Sequence, residues 1–172
     1  MVKKPILAAL FVFTLAIVLA GCSSNTDSSD GDTVSQSQAG QKTDQKNIAE
    51  RYVRYDNGEG GVQVQVVWIT PEYLKAAGGN ELLKEYNLDE NIVFEIGMTA
   101  HSGDLTKYPM LDKAVLTIDD KVIKPARWDI LSSDSHHPMG VLVFPANAAI
   151  EGSKLQLNLN DLNEIPDRTF IW

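Results

Sequence analysis

The sequence predicts an antiparallel β-sandwich of immunoglobulin type with a small helical insert, and three observations predict it. Apolar and polar residues alternate with period two in several separate runs. Turn residues interrupt those runs about every 8 to 12 positions, and seven or so short strands result. That rhythm favours two packed antiparallel sheets over a helical or parallel architecture.

The elements follow in order. Gly61 to Ile69 (GVQVQVVWI) alternates, and Ile92, Phe94, Ile96, Met98 and Ala100 take every second position of the next run, so each strand is expected to bury one face. Between them, Thr70-Pro71-Glu72 reads as a helix start, with Thr70 as cap and Pro71 in the first turn. Asn80-Glu81 opens a second helical stretch after Gly78-Gly79. Lys113 to Ile118 and Lys121 to Lys124 flank Asp119-Asp120, which reads as a tight hairpin. Further strands are expected at Arg127 to Leu131, Gly140 to Phe144, Lys154 to Asn160 and Arg168 to Trp172. In the third of these, Leu155, Leu157 and Leu159 oppose Gln156, Asn158 and Asn160, the clearest half-buried strand in the chain. Trp68 and Trp128 read as core, and Trp172 as a terminal pin on the last strand.

Upstream the composition changes. Lys3 and Lys4 precede an apolar run from Ile6 to about Ala20, too short for a stable membrane span, which ends in Leu19-Ala20-Gly21-Cys22. Residues 1–21 therefore read as a lipoprotein signal peptide, with Cys22 as the lipidation site and a membrane reached through acyl chains on that residue. Residues 22–46, rich in Ser, Asp, Gln and Thr, read as the lipidated cysteine followed by a disordered polar tether, and 47–172 as the sandwich domain. The expected location is the extracytoplasmic face of the cell membrane. Cys22 is the only cysteine, so the domain has no disulfide, thiol nucleophile or thiolate metal site. Removing the signal with its two lysines takes the formal charge from −8 to −10, a balance that argues against nucleic acid as a partner.

The chemistry-bearing residues are few. His101 follows the strand ending at Ala100, on the face of Glu95 and Thr99, while His136 and His137 sit in the loop Ser132 to Met139. Strand ends gather at the poles of a sandwich, so the three histidines meet if both segments end at one pole. With Asp104 or Asp134 they make a set for zinc. With Met139, Met110 or Met98 they make a set for copper, whose reduced form accepts thioether sulfur. The competing reading leaves the histidines exposed or bonded to backbone carbonyls, locking the loop. Catalysis fares worse: Ser102 lacks the strand-turn-helix elbow of a nucleophile, Gly103 reads as a chain reversal with positive φ, and nothing marks a cleft around Glu95 and Asp104. Gly58-Glu59-Gly60-Gly61 has neither the helix nor the lysine of a phosphate loop.

The run Phe94 to Leu105 (FEIGMTAHSGDL), then Trp128, then His136 to Phe144 (HHPMGVLVF) resembles a group of bacterial exported proteins and lipoproteins in which a Thr-His-Ser strand end precedes Asp-Leu and a His-His pair precedes Gly-x-Leu-x-Phe. Ala100 separates Thr99 from His101 here, a departure from that pattern. The resemblance implies that His101, His136 and His137 belong together, and it carries no reaction or substrate. Two expectations stand: a lipid-anchored extracytoplasmic binding module for copper or zinc, through His101, His136 and His137 with Met139 or Asp104, or a protein-interaction or structural lipoprotein that meets another envelope protein and holds no metal. Neither is an enzyme.

Overall fold

A computed structural model describes residues 47–77, 85–146 and 152–172, which fall within one compact unit. The signal, Cys22, the tether and the helix start at Asn80-Glu81 lie outside the described residues. Nine strands are described: β1 (Val53–Asp56), β2 (Val62–Ile69), β3 (Asn91–Ala100), β4 (Ala114–Ile118), β5 (Lys121–Ile123), β6 (Arg127–Ser132), β7 (Met139–Pro145), β8 (Leu155–Leu162) and β9 (Ile165–Ile171). Residues 47–52 are helical ahead of β1, and two further short helices, α1 (Pro71–Ala77) and α2 (Met110–Lys113), accompany the strands. All pairings are antiparallel, in sheets ordered β1-β2-β3-β7-β6 and β5-β4-β8-β9. The chain is a mainly β protein with a β-sandwich core.

Alternation builds the core. Val62, Val64 and Val66 of β2, Ile92, Phe94 and Ile96 of β3, and Leu142 and Phe144 of β7 face Leu116 of β4, Leu155, Leu157 and Leu159 of β8, and Phe170 of β9. Phe94 meets Phe144 edge-on at 5.9 Å between ring centroids, and Trp172 stacks at a tilt on Phe94 at 5.1 Å. Trp172 also donates from Nε1 to the Tyr52 carbonyl at 3.1 Å, and its backbone pairs with Leu155. Met98 and Met110 are buried in this core, which removes both from the candidate copper ligands.

The expectation of one buried face per strand fails for part of the first sheet. Val67 and Ile69 of β2, Val93 of β3, and Val141 and Val143 of β7 form a second cluster on its outer side, under Leu74 of α1 and under Tyr86 and Leu88. The insert covers that end of the sheet, so the consecutive apolar runs Val66-Val67 and Val141 to Phe144 are buried on both faces. The cap at the head of α1 is in place, Tyr73 N–H donating to Thr70 Oγ1 at 3.0 Å. β1 and α2 were not legible as elements; β1 is four residues and α2 a single turn.

Two details fix the β6 edge. A Cβ on Gly140 would lie 2.5 Å from the rim of the Trp128 ring, so only glycine lets the indole cross β7 there. Leu131 is the extra residue of a bulge between Ile130, paired with Gly140, and Ser132, paired with Met139, and bulges twist edge strands away from further pairing.

At the opposite margin Arg168 of β9 is buried at 3% exposure. Its guanidinium pairs with Asp56 of β1 and donates to the carbonyls of Glu59 at 2.6 Å, Val62 at 3.1 Å and Leu162 at 3.3 Å. Replacing Arg168 with alanine leaves those acceptors and the Asp56 charge without their partner, and is expected to cost about 3–5 kcal/mol, read by urea unfolding. Deleting Phe170 to Trp172 removes a buried ring, the Trp172 stack and the Leu155 pairing together. Loss of one buried aromatic alone costs about 3–5 kcal/mol, so the truncated chain is expected to lose its cooperative unfolding transition in circular dichroism.

Candidate functional site

The histidine loop is built as an extension of the ladder between β3 and β7. Met98 N–H donates to the Pro138 carbonyl at 3.0 Å, Ala100 N–H to His136 at 3.0 Å, and Leu105 N–H to Ser135 at 2.9 Å. The loop therefore runs beside the end of β3, and His101 lies at the same pole as His136 and His137. Asp134 ties the turn: its Oδ1 accepts from the backbone of His136 at 2.8 Å and of His137 at 2.9 Å. Those two bonds hold its carboxyl below the ordinary range.

The side chains spread rather than converge. His137 Nδ1 lies 3.3 Å from Thr99 Oγ1, and His136 Nδ1 lies 3.2 Å from Ser135 Oγ. All three histidines are exposed. Asp104 caps the 3-10 turn Leu105–Lys107, accepting from Thr106 N–H at 3.1 Å and from the Thr106 hydroxyl, with Lys107 at 3.3 Å. The Thr106 hydroxyl is the main reason its carboxyl sits low. Among the described residues, no three His, Cys, Asp or Glu side chains are grouped as a metal set. Met139, 37% exposed, lies two residues from His137 at the start of β7, opposite Gly97.

A second feature adjoins this pole. The outer face of the first sheet is sealed by the insert at one end and open at the other. Register sets out its rows: Val53, Val67, Glu95, Val141 and Asp129 lie side by side across five strands, and Tyr55, Gln65, Gly97 and Met139 form the next row. Thr99 and Gln63 follow, with His137 bonded to Thr99. Tyr55 is 66% exposed, and a Cβ on Gly97 would meet nothing within 4 Å, so the face is a shelf at that point.

Glu95 stands at the boundary between the two ends. It is half-buried between Val67 and Val141, and desolvation holds its carboxyl above the ordinary range. Tyr73 of α1 is raised first by burial, then by the charge of Glu95 and by Tyr55. Tyr73 of α1 therefore lies near both Glu95 of β3 and Tyr55 of β1, and Tyr55 stands in the row next to Glu95 with β2 between their strands. In the sequence Glu95 stands out only alongside Asp104, and neither tyrosine is marked. The available signal was a lone carboxylate inside Ile92 to Ile96, in a stretch otherwise wholly apolar.

Two hollows offer less. The seam lined by Met98, Leu105, Tyr108, Met110, Trp128 and Ile130 encloses about 20 Å³, room for one water and no ligand. The hollow at the β4–β5 hairpin is lined by Asp119 and Asp120, and Asp119 accepts from Lys154 N–H at 3.0 Å, serving the hairpin itself. Comparison with known protein families, curated proteins and solved structures finds no match.

The Glu95 environment sets a pH dependence. Below its ordinary value of 4.5 the carboxyl is protonated in both folded and unfolded chains, and its burial carries no charge penalty. As pH rises from there through the raised folded value, the unfolded chain ionises first and stability is lost. Glu95→Gln is therefore expected to unfold at a higher temperature than the parent at pH 7 and at the same temperature at pH 3.5. A variant less stable than the parent at pH 7 would show that the carboxylate is paired.

Proposed function

We propose that this chain is a lipid-anchored extracytoplasmic binding module, attached to the membrane through Cys22, which takes its ligand on the open half of the first sheet's outer face. One observation carries the reading. The same sheet face is apolar and sealed under the insert at one end, while the other end displays Tyr55, Gln65, the bare Gly97 shelf and Met139. A sandwich with a solvated outer face ordinarily closes it with charged and polar side chains. Here the open end carries few charges, and Gly97 lies between Gln65 and the thioether of Met139, with the Tyr55 ring beyond Gln65. The partner favoured is another envelope protein, since flat sheet faces with aromatic and methionine side chains suit protein contact.

A transition-metal reading, copper or zinc, rests on a narrower observation. Thr99 Oγ1 of β3 and His137 Nδ1 of the adjoining loop lie 3.3 Å apart, His101 directly follows β3, and Met139 opens β7 two residues after His137. That gives two imidazoles and a thioether along one pole, with His136 directed to Ser135 and Asp104 committed to its own turn.

The two readings separate in one set of measurements on the full chain in detergent, stripped with chelator. An ion bound only by the folded state at 100 times its Kd adds about 2.7 kcal/mol, a melting shift of several degrees. The protein-partner reading predicts no selective shift with Cu⁺, Cu²⁺ or Zn²⁺. The metal reading predicts one that His137→Ala and Met139→Leu abolish. Gly97→Phe fills the shelf where the backbone leaves space; it is expected to keep the parent melting temperature and to abolish binding on this face. Cys22→Ser is expected to end palmitate incorporation and release the chain from the membrane fraction.

A further inference from the structure

Resting on the open-face reading, we propose that Glu95, with Tyr73 near it and Tyr55 in the adjoining row, receives a lysine ammonium or arginine guanidinium presented by a basic partner protein. The other half-buried carboxylates among the described residues each have a cationic partner. Asp56 pairs with Arg168, and Asp129 with Arg127 at 2.7 Å. Glu72, more exposed, is held by Arg51 at 2.9 Å and by the Tyr52 hydroxyl at 2.6 Å. Glu95 is flanked by two buried valines, and none of the side chains of the described residues pairs with its carboxylate. A carboxylate in apolar surroundings is unfavourable unless a cation or donor meets it, and this one opens toward the uncovered end of the sheet.

The surroundings specify the complement. A carboxylate with one phenol near it and the exposed Tyr55 ring along the next row offers a cation a charge and, further along the sheet, a negatively polarised ring face. The Gly97 shelf in the adjoining row gives a long side chain room to lie along the sheet. Charge supports the same direction at longer range, because residues 47–172 hold eleven basic against nineteen acidic side chains. A half-buried receptor of this kind selects a cation that carries its own apolar stem, which both lysine and arginine do.

The test is calorimetric titration of the full chain in detergent with capped tetralysine and tetraarginine peptides, against tetraglutamine as neutral control, with amide chemical shifts to locate binding. Saturable, salt-sensitive binding of the cationic peptides is expected, with shifts centred on Tyr55, Glu95 and Gly97 and none from the control. Glu95→Gln, nearly isosteric and expected to fold, should weaken binding at least tenfold. Tyr55→Leu should weaken it about threefold, the scale of one exposed cation–π contact. Equal binding by Glu95→Gln and the parent would overturn the proposal, since net charge alone then attracts the peptides. If Gly97→Phe abolishes binding while Glu95→Gln does not, the open face stands and cation recognition falls. If binding is seen and neither variant changes it, both fall. Absence of binding by either cationic peptide overturns the proposal.

Discussion

The buried guanidinium of Arg168 is the constraint on which the sandwich's closed margin depends. β9 is an edge strand paired on one side only, to β8, and it must also hold β1 and the turn leading into β2. Arg168 does both, joining Asp56, Glu59, Val62 and Leu162 through one planar group. Without a cysteine in the domain, no covalent staple shares that task. Arginine suits the position because its fork offers five donors in fixed directions, whereas a lysine would meet these acceptors with one point charge. The neighbouring backbone is shaped to match. Gly60 has φ 62, and a Cβ there would lie 2.9 Å from Ile165 and 3.0 Å from the Asn163 carbonyl, so glycine lets the two turns touch.

With that margin held, the first sheet can differ along its own length. Its inner face is uniformly apolar, but its outer face changes character within β3, from Val93 under the insert to Glu95, Gly97 and Thr99 beyond it. The insert is too small to cover the whole sheet, and the boundary of its shadow falls on Glu95. The half-buried state of that carboxylate reflects its place between the buried Val67 and Val141 of the neighbouring strands. Tyr73, on α1 itself, brings the insert's edge and the carboxylate into one neighbourhood.

This explains what the sequence made legible and what it did not. Alternation identified β2, β3, β8 and their inward faces, because the period of two is imposed by the pleat and needs no tertiary knowledge. Asp119-Asp120 and Thr70-Pro71 were legible for the same reason: turn and cap chemistry is local. The second buried face was not, since Val67, Val141 and Val143 are buried by a segment distant in sequence. β1 escaped because a four-residue strand with Arg54 and Asp56 carries too little apolar pattern, and it is held by Arg54 donating to the Ile171 carbonyl at 2.6 Å and by Arg168. The histidines were conspicuous by type, yet their partners, Thr99 and Ser135, depend on register and loop path.

The histidine loop and the open face are then best understood as parts of one surface. Asp134 fixes the loop by taking two consecutive backbone N–H groups, and His137 fastens it to Thr99 on the sheet. That fastening sets Met139 opposite Gly97, at the rim of the shelf. A rigid rim beside an open shelf lowers the ordering entropy that a partner must overcome on binding. On the proposed reading it also gives His137 a role that needs neither metal nor catalysis, holding the wall of a surface whose floor is Gly97 and whose charged end is Glu95.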